Sequence, residues 1–148
     1  MPASRERKKL PSRTPAGHSR AAGVLVVDDT ADVRELYAEY LTARGFRVAT
    51  ARDGEAGIAA ATHSRPDVIV MDLSMPKLDG IQAIRRLKSD ARTRKVPVIL
   101  LTGYPYRAIE QGALEAGADA FLTKPCLPED LESHVQRLLR QPRPHSAA

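Results

Sequence analysis

Four short apolar runs recur along the middle of the chain, each bounded by Gly, Pro or Asp. Continuous apolar runs of this length, rich in β-branched residues, indicate strands that are covered on both faces, as in a parallel sheet. A fifth segment, residues 46–50, alternates apolar and polar side chains, which is typical of an edge strand with one less covered face. The four continuous runs are residues 24–27, 68–71, 98–101 and 120–122.

Helical patterns lie between these predicted strands. Apolar residues after the first strand recur at i, i+3, i+4, i+7 and i+8, an amphipathic stripe that Gly45 is expected to end. This stripe comprises Val33, Leu36, Tyr37, Tyr40 and Leu41. Four more helices are predicted from residues that favour a helix start, namely Asp53, Asp79, Pro105 and Pro128. Five strands thus alternate with five helices, which predicts right-handed βαβ crossovers and a three-layer α/β sandwich.

Composition and charge change this interpretation only at the ends of the chain. The 148 residues are 43% hydrophobic and 28% charged, as expected for one globular domain. The net charge of +5 resides in residues 1–22, because residues 23–148 carry equal numbers of basic and acidic side chains. We therefore expect a disordered basic tail over residues 1–22, a folded domain over residues 23–140 and a second disordered tail over residues 141–148.

The cysteine content and the absence of long apolar runs bear on location. The single cysteine, Cys126, excludes an internal disulfide and fits a reducing cytoplasm. No apolar run approaches the ~20 residues of a membrane span, and the N-terminus lacks the apolar region of a secretory signal. The sequence therefore predicts a cytoplasmic protein with no membrane partner. The basic tail has no aromatic platforms, so we expect no specific nucleic-acid binding.

Polar side chains follow the predicted strands where each one ends. Asp28 and Asp29 follow the first strand, Asp72 the third, Thr102 the fourth and Lys124 the fifth. In a parallel α/β sheet, ligands bind outside the carboxyl ends of the strands. A single strand-end Asp would be interpreted as a cap of the next helix. Three carboxylates and a lysine at the ends of three different strands instead indicate a site.

The chemistry of this group favours a metal and a phosphoryl group. Crowded carboxylates repel one another, so at least one must be protonated or neutralised by a cation. A hard divalent ion with oxygen ligands, Mg²⁺ above all, fits a half-open carboxylate site. With a lysine and a hydroxyl beside it, such a site suits a phosphoryl group that a carboxylate attacks in line.

The same residues carry a resemblance to a known family. The pair Asp28-Asp29 and the segments 72–76, 101–103 and 117–125, in this order, resemble the receiver domain of two-component response regulators. The resemblance covers nearly all of residues 23–140. It implies a flavodoxin-like (βα)5 fold, with a parallel five-stranded sheet in the order 2-1-3-4-5.

The resemblance also implies a role for each residue of the site. Asp72 is expected to accept the phosphoryl group. Thr102 would reach a phosphoryl oxygen, Lys124 would pair with the phosphoryl group, and Phe121 would be a rotamer switch. The Lys124–Pro125 peptide would be cis. The ligands of Mg²⁺ would be the carboxylates of Asp28, Asp29 and Asp72 and the backbone carbonyl of Ser74.

Partners follow from the same resemblance. A sensor histidine kinase or a histidine phosphotransfer protein would supply the phosphoryl group, and a downstream protein would respond to it. The domain would be a monomer or a weak homodimer and not an enzyme. A phosphorelay carrier without its own output is an alternative role.

Two other functions fit the sequence less well than that of a receiver. A phosphohydrolase with an aspartyl nucleophile, as in haloacid-dehalogenase-like enzymes, needs a second Asp two residues after the first, where this chain has Ser74. A flavodoxin-like nucleotide binder needs a first loop rich in Gly, Ser or Thr. The acidic residues Asp28 and Asp29 occupy that loop and would repel phosphate unless a metal were bound.

Overall fold

The computed structural model describes residues 20–141, which form five strands and five helices in strict alternation. In chain order these elements are β1 (Gly23–Val27), α1 (Ala31–Ala43), β2 (Arg47–Ala51), α2 (Gly54–Ser64), β3 (Val68–Asp72), α3 (Gly80–Lys88), β4 (Val98–Thr102), α4 (Arg107–Ala116), β5 (Ala120–Thr123) and α5 (Pro128–Arg140).

The strands form one parallel sheet in the order β2-β1-β3-β4-β5, which confirms the predicted flavodoxin-like topology. The pairing aligns Val27 of β1 with Met71 of β3. It also aligns Thr102 of β4 with Thr123 of β5. The residues that follow the strands are therefore gathered along one edge of the sheet.

Helices cover both faces of the sheet and divide the core into two clusters. Val24 and Val26 of β1 face a cluster that includes buried residues of α1 and α5, whereas Leu25 and Val27 face buried residues of α2, α3 and α4. The central strands β1, β3 and β4 are buried along their whole length. Strand β2 is partly exposed, as expected for an edge strand.

Local capping explains where several helices begin. Asp79 and Gln82 form a capping box at the start of α3, in which each side chain accepts a hydrogen bond from the other residue's backbone N–H. The Asp53 side chain likewise accepts a hydrogen bond from the N–H of Ala56 at the start of α2. A Cβ on Gly80 would collide with the carbonyl of Asp72, so glycine lets α3 begin directly against the end of β3.

Two sequence-based expectations are corrected. Leu36 is 53% exposed, because the face of α1 that turns toward the sheet is centred on Tyr37 and Leu41. Helix α4 begins at Arg107, two residues after Pro105, since Tyr106 has extended backbone and its N–H donates to the carbonyl of Tyr104.

The predicted tails fall almost wholly outside the described residues. Of the expected N-terminal tail only residues 20–22 are described, and the carbonyls of Ala21 and Ala22 accept hydrogen bonds from Arg47. Of the expected C-terminal tail only Gln141 is described. Among the helices within residues 20–141, none combines the length and the apolar character that a membrane crossing needs.

Candidate functional site

Three carboxylates meet at the carboxyl edge of the sheet. Asp28 and Asp29 directly follow β1, and Asp72 is the last residue of β3. One carboxylate oxygen from each residue lies within 4.8 Å of the others. Asp28 and Asp72 are buried, with 1% and 4% of their surface exposed, whereas Asp29 is exposed. We call this cluster the pocket. Asp28 and Asp72 form its buried part, and it is open to solvent at Asp29.

Hydrogen bonds hold Asp28 beside the end of β3. Because β1 and β3 are neighbours in register, Asp28 follows β1 beside the end of β3. The N–H of Asp28 donates to the carbonyl of Ala51 at 3.1 Å, and its Oδ1 accepts from the N–H of Thr30 at 2.9 Å. The guanidinium of Arg34 donates to the Asp28 carbonyl at 2.7 Å. These contacts leave Oδ2 of Asp28 for the pocket.

Lys124 supplies a cation to this pocket. Its Nζ lies 2.9 Å from Oδ1 of Asp72 and 3.3 Å from Oδ2 of Asp28. The backbone N–H of Lys124 donates to the carbonyl of Thr102 at 2.8 Å, which holds the residue beside the end of β4. The peptide bond between Lys124 and Pro125 is cis, as predicted.

The electrostatics of the pocket show an excess of negative charge. Burial raises the pKa of Asp72, the hydrogen bond from Lys124 opposes that increase, and the charges of Asp28 and Asp29 add to it. Burial alone would lower the pKa of Lys124, but its contacts with Asp72 and Asp28 outweigh burial and raise that pKa. The lysine therefore stays charged, and its ammonium pairs with two of the three carboxyl groups, Asp28 and Asp72.

Thr102 brings a hydroxyl to the same edge. It is the last residue of β4, with 1% of its surface exposed, and its Oγ1 accepts a hydrogen bond from the N–H of Tyr104 at 2.9 Å. A threonine hydroxyl is both donor and acceptor. Since its acceptor side serves Tyr104, its proton can be donated to a group bound in the pocket.

The remaining predicted residues lie around this pocket. Ser74 is exposed in the loop that follows β3. Phe121 lies in β5 opposite Leu100 and is half-buried, with its ring against the cluster that includes α2, α3 and α4.

Two contacts near the site are not predicted by the sequence. One is the bond from Arg34 to the carbonyl of Asp28. The other joins the hydroxyl of Tyr37, which the sequence placed in an apolar stripe, to the carbonyl of Cys126 at 2.7 Å. A buried tyrosine usually bonds through its hydroxyl, so its presence in a buried stripe signals a polar partner without identifying it.

Known proteins with similar sequences belong to the family that the motifs of this chain resemble. The profile of the family described as "Response regulator receiver domain" matches residues 24–136. The response regulator PleD of Caulobacter vibrioides is 44% identical over 121 residues, which cover 81% of this chain and 26% of that protein. The transcriptional regulatory protein PrrA of Mycobacterium tuberculosis is 42% identical over 118 residues, covering 80% and 50% of the two chains. The chain thus spans no more than half the length of these relatives.

Solved structures agree in fold. The chemotaxis protein CheY4 of Vibrio cholerae has a TM-score of 0.76 and 32% identity, covering 80% of this chain and 98% of that chain. The receiver domain of the sensor histidine kinase PA1611 from Pseudomonas aeruginosa, which has a magnesium ion coordinated in its active-site cleft, has a TM-score of 0.75 and 30% identity, with coverage of 82% and 99%. By its profile match, its relatives and its fold, the chain belongs to the receiver domain family of response regulators.

Proposed function

We propose that this domain accepts a phosphoryl group on Asp72 in a Mg²⁺-dependent reaction and thereby switches the binding of a partner protein. Receiver domains are signalling domains that accept phosphoryl groups and interact with histidine kinases and phosphotransfer proteins. For this chain, the donor is then a sensor histidine kinase or a histidine phosphotransfer protein. The domain modifies itself and turns over no substrate, and it acts in the cytoplasm.

The observation that carries the proposal is the position of Asp72 between a cation and two further carboxylates. An Oδ atom of Asp72 attacks the phosphorus of the donor, so that a P–O bond forms as the bond from phosphorus to the donor's histidine nitrogen breaks. The ammonium of Lys124 is already 2.9 Å from Oδ1 of Asp72, where it can neutralise a phosphoryl oxygen. The Thr102 hydroxyl can donate to another phosphoryl oxygen.

The donor set of the pocket fits Mg²⁺. The oxygens of three carboxylates lie within 4.8 Å of one another, and the ammonium of Lys124, which pairs with Asp28 and Asp72, balances one of their charges. Oxygen is the ligand that hard divalent ions prefer. Asp28, Asp29 and Asp72 would hold the ion together with the carbonyl of Ser74. When bound, Mg²⁺ neutralises charge on the phosphoryl oxygens. The magnesium reported for the PA1611 receiver domain supports the same assignment.

The switch would run from Thr102 to Phe121. A phosphoryl group adds charge and acceptor oxygens, toward which the Thr102 hydroxyl can move. That movement opens space into which the ring of Phe121, on the neighbouring strand, can turn. The surface formed by α4, β5 and α5 then differs between the two states, and a partner that prefers one state reads the signal.

Intact-mass measurement tests the acceptor. With a small phosphodonor and Mg²⁺, the wild-type protein should gain the mass of one phosphate, and Asp72→Asn should not. Asp130→Asn is the matched control, because Asp130 is an exposed carboxylate in the first turn of α5 and lies outside the carboxylate cluster. Full labelling of Asp72→Asn would overturn the assignment.

A further inference from the structure

The loop that carries Lys124 is held from two sides. On one side, the N–H of Lys124 donates to the carbonyl of Thr102 at 2.8 Å, which ties the loop to β4. On the other side, the carbonyl of Cys126 accepts the hydroxyl of Tyr37 at 2.7 Å, which ties the loop to α1. Cys126, whose carbonyl accepts this bond, is only two residues beyond Lys124. A movement of that carbonyl would therefore also displace Lys124.

The helix side of this contact is rigidly placed. Tyr37 is 4% exposed and lies in the core cluster that joins α1, α5 and the sheet. A buried ring of this kind has few alternative rotamers, so the position of its hydroxyl is fixed. The hydrogen bond to Cys126 therefore holds the loop at a defined distance from α1. Helix α1 begins directly after the loop that bears Asp28 and Asp29, so the same helix is anchored beside the carboxylates.

We propose that the hydroxyl of Tyr37 is a positioning group for phosphoryl transfer, because it holds the Cys126 carbonyl and so sets where the Lys124 ammonium meets Asp72. Removing the bond would free the loop from helix α1. Lys124 reaches its partners at 2.9 and 3.3 Å, so a shift of a few tenths of an ångström weakens both contacts. This role bears on the reaction only if Asp72 is the acceptor, and so it rests on the proposed function.

The hydroxyl is suited to this role across the physiological pH range. Burial raises the pKa of Tyr37 to about 12, and the negative charges around the pocket contribute in the same direction. The phenol therefore keeps its proton and remains a donor to the carbonyl. A phenylalanine would keep the packing of the ring and lose only the donor.

Helix α1 offers a matched control one turn away. The hydroxyl of Tyr40 donates to Oε1 of Glu132 in α5 at 3.1 Å, so its hydrogen bond goes to the helix and not to the segment 124–127. Tyr40→Phe and Tyr37→Phe thus each delete one hydroxyl from the same helix face. Only Tyr37→Phe releases the loop.

The test compares these two variants with the wild type. Phosphorylation rate is measured with acetyl phosphate at saturating Mg²⁺, Mg²⁺ affinity by calorimetry, and amide exchange at Lys124 by NMR without metal. Tyr37→Phe should lower the rate at least about threefold, within the hundredfold that a ~1 Å misplacement can cost. Mg²⁺ affinity should not fall, because none of the proposed ligands lies in the loop and weaker contacts of Lys124 with Asp28 and Asp72 can only favour the ion. Exchange at the Lys124 amide should become faster.

The outcomes separate this proposal from the proposed function. If Tyr37→Phe is phosphorylated at the wild-type rate, or if Tyr40→Phe slows the reaction equally, the positioning role is wrong. If the wild-type protein takes up no phosphate, the proposed function fails, and exchange at Lys124 then decides the structural claim alone. Faster exchange in Tyr37→Phe than in Tyr40→Phe supports the claim, and equal exchange overturns it.

Discussion

The Nζ of Lys124 lies 2.9 Å from Oδ1 of Asp72, so that an ion pair joins the residue after β5 to the end of β3, across the intervening strand β4. Asp72 is buried and has two more carboxylates beside it. The lysine therefore compensates part of the charge that a divalent ion would also compensate. Lys124 and Mg²⁺ should each stabilise the fold, but each should stabilise it less when the other is present.

Replacing Lys124 by Met tests this relation. Breaking the pair leaves buried carboxylates without their cation, so the free energy of unfolding without metal should fall by about 1–3 kcal/mol, less than for a fully buried pair because the lysine is partly exposed. Mg²⁺ should then stabilise the variant more than it stabilises the wild type. Urea denaturation with and without Mg²⁺ measures both quantities.

Lys88→Met is the control for this experiment. Lys88 pairs with Asp119 at 3.3 Å, and its partner precedes β5, so this ion pair lies at the opposite edge of the sheet. Its loss should destabilise the domain without changing the increment that Mg²⁺ gives. An equal Mg²⁺ increment in the wild type and in Lys124→Met would show that the lysine and the ion do not share one pocket.

A second prediction concerns Asp29, the exposed carboxylate of the pocket. Asp29 is exposed, and its charge is one of those that raise the pKa of Asp72. Asp29→Asn should relieve repulsion and slightly stabilise the metal-free domain, while weakening Mg²⁺ binding at least roughly tenfold. Calorimetric titration and thermal unfolding would measure the two effects.

Asp32→Asn provides the comparison for Asp29. Asp32 is an exposed carboxylate in the first turn of α1, three residues further along the chain and outside the cluster. Its replacement should leave Mg²⁺ affinity unchanged and slightly destabilise the helix, since a negative charge near a helix N-terminus is favourable. If both variants lose Mg²⁺ affinity equally, the effect is one of net charge and Asp29 is not a ligand.

The sequence predicts which residues meet at the end of the sheet, but it does not predict the hydrogen bonds that hold the surrounding segments. Asp28, Asp72 and Lys124 could be brought together from sequence because each follows a strand, and the carboxyl ends of parallel strands share one edge. The bond from Tyr37 to Cys126 spans 89 residues and ends on a backbone carbonyl, which any residue type carries. Leu36 shows the limit of periodicity, since a five-residue stripe is wider than the face that α1 buries.

A third prediction concerns alkaline pH. The pKa of Tyr37 is raised from 10.0 to about 12, so the unfolded state loses this proton first as pH rises. Tyr37 therefore contributes stability that is fully present below pH 10 and is lost between pH 10 and about pH 12. Two pKa units correspond to roughly 2.7 kcal/mol.

Tyr37→Phe isolates this contribution. The variant should be about 1–2 kcal/mol less stable than the wild type at neutral pH, because the Cys126 carbonyl loses its donor. That difference should shrink above pH 10 and change sign before about pH 12, because only the wild type releases the proton and the roughly 2.7 kcal/mol that it loses exceeds its initial advantage. Urea denaturation of both proteins across this range measures the difference, and a gap that stays constant with pH would contradict the prediction.

The last prediction follows the switch from Thr102. Its hydroxyl is buried and its Oγ1 accepts from Tyr104, so its proton is available to a phosphoryl oxygen on Asp72. Phosphorylation should therefore shift NMR resonances along α4 and β5 in the wild type and in Thr102→Ser, but much less in Thr102→Ala. Thr123→Ala is the matched control, because Thr123 is paired with Thr102 in the sheet but is exposed. Thr123→Ala should behave like the wild type.

Equal shifts in Thr102→Ala and the wild type would show that the switch does not depend on the Thr102 hydroxyl. Shifts confined to α1 would favour a relay carrier over a domain that switches a partner.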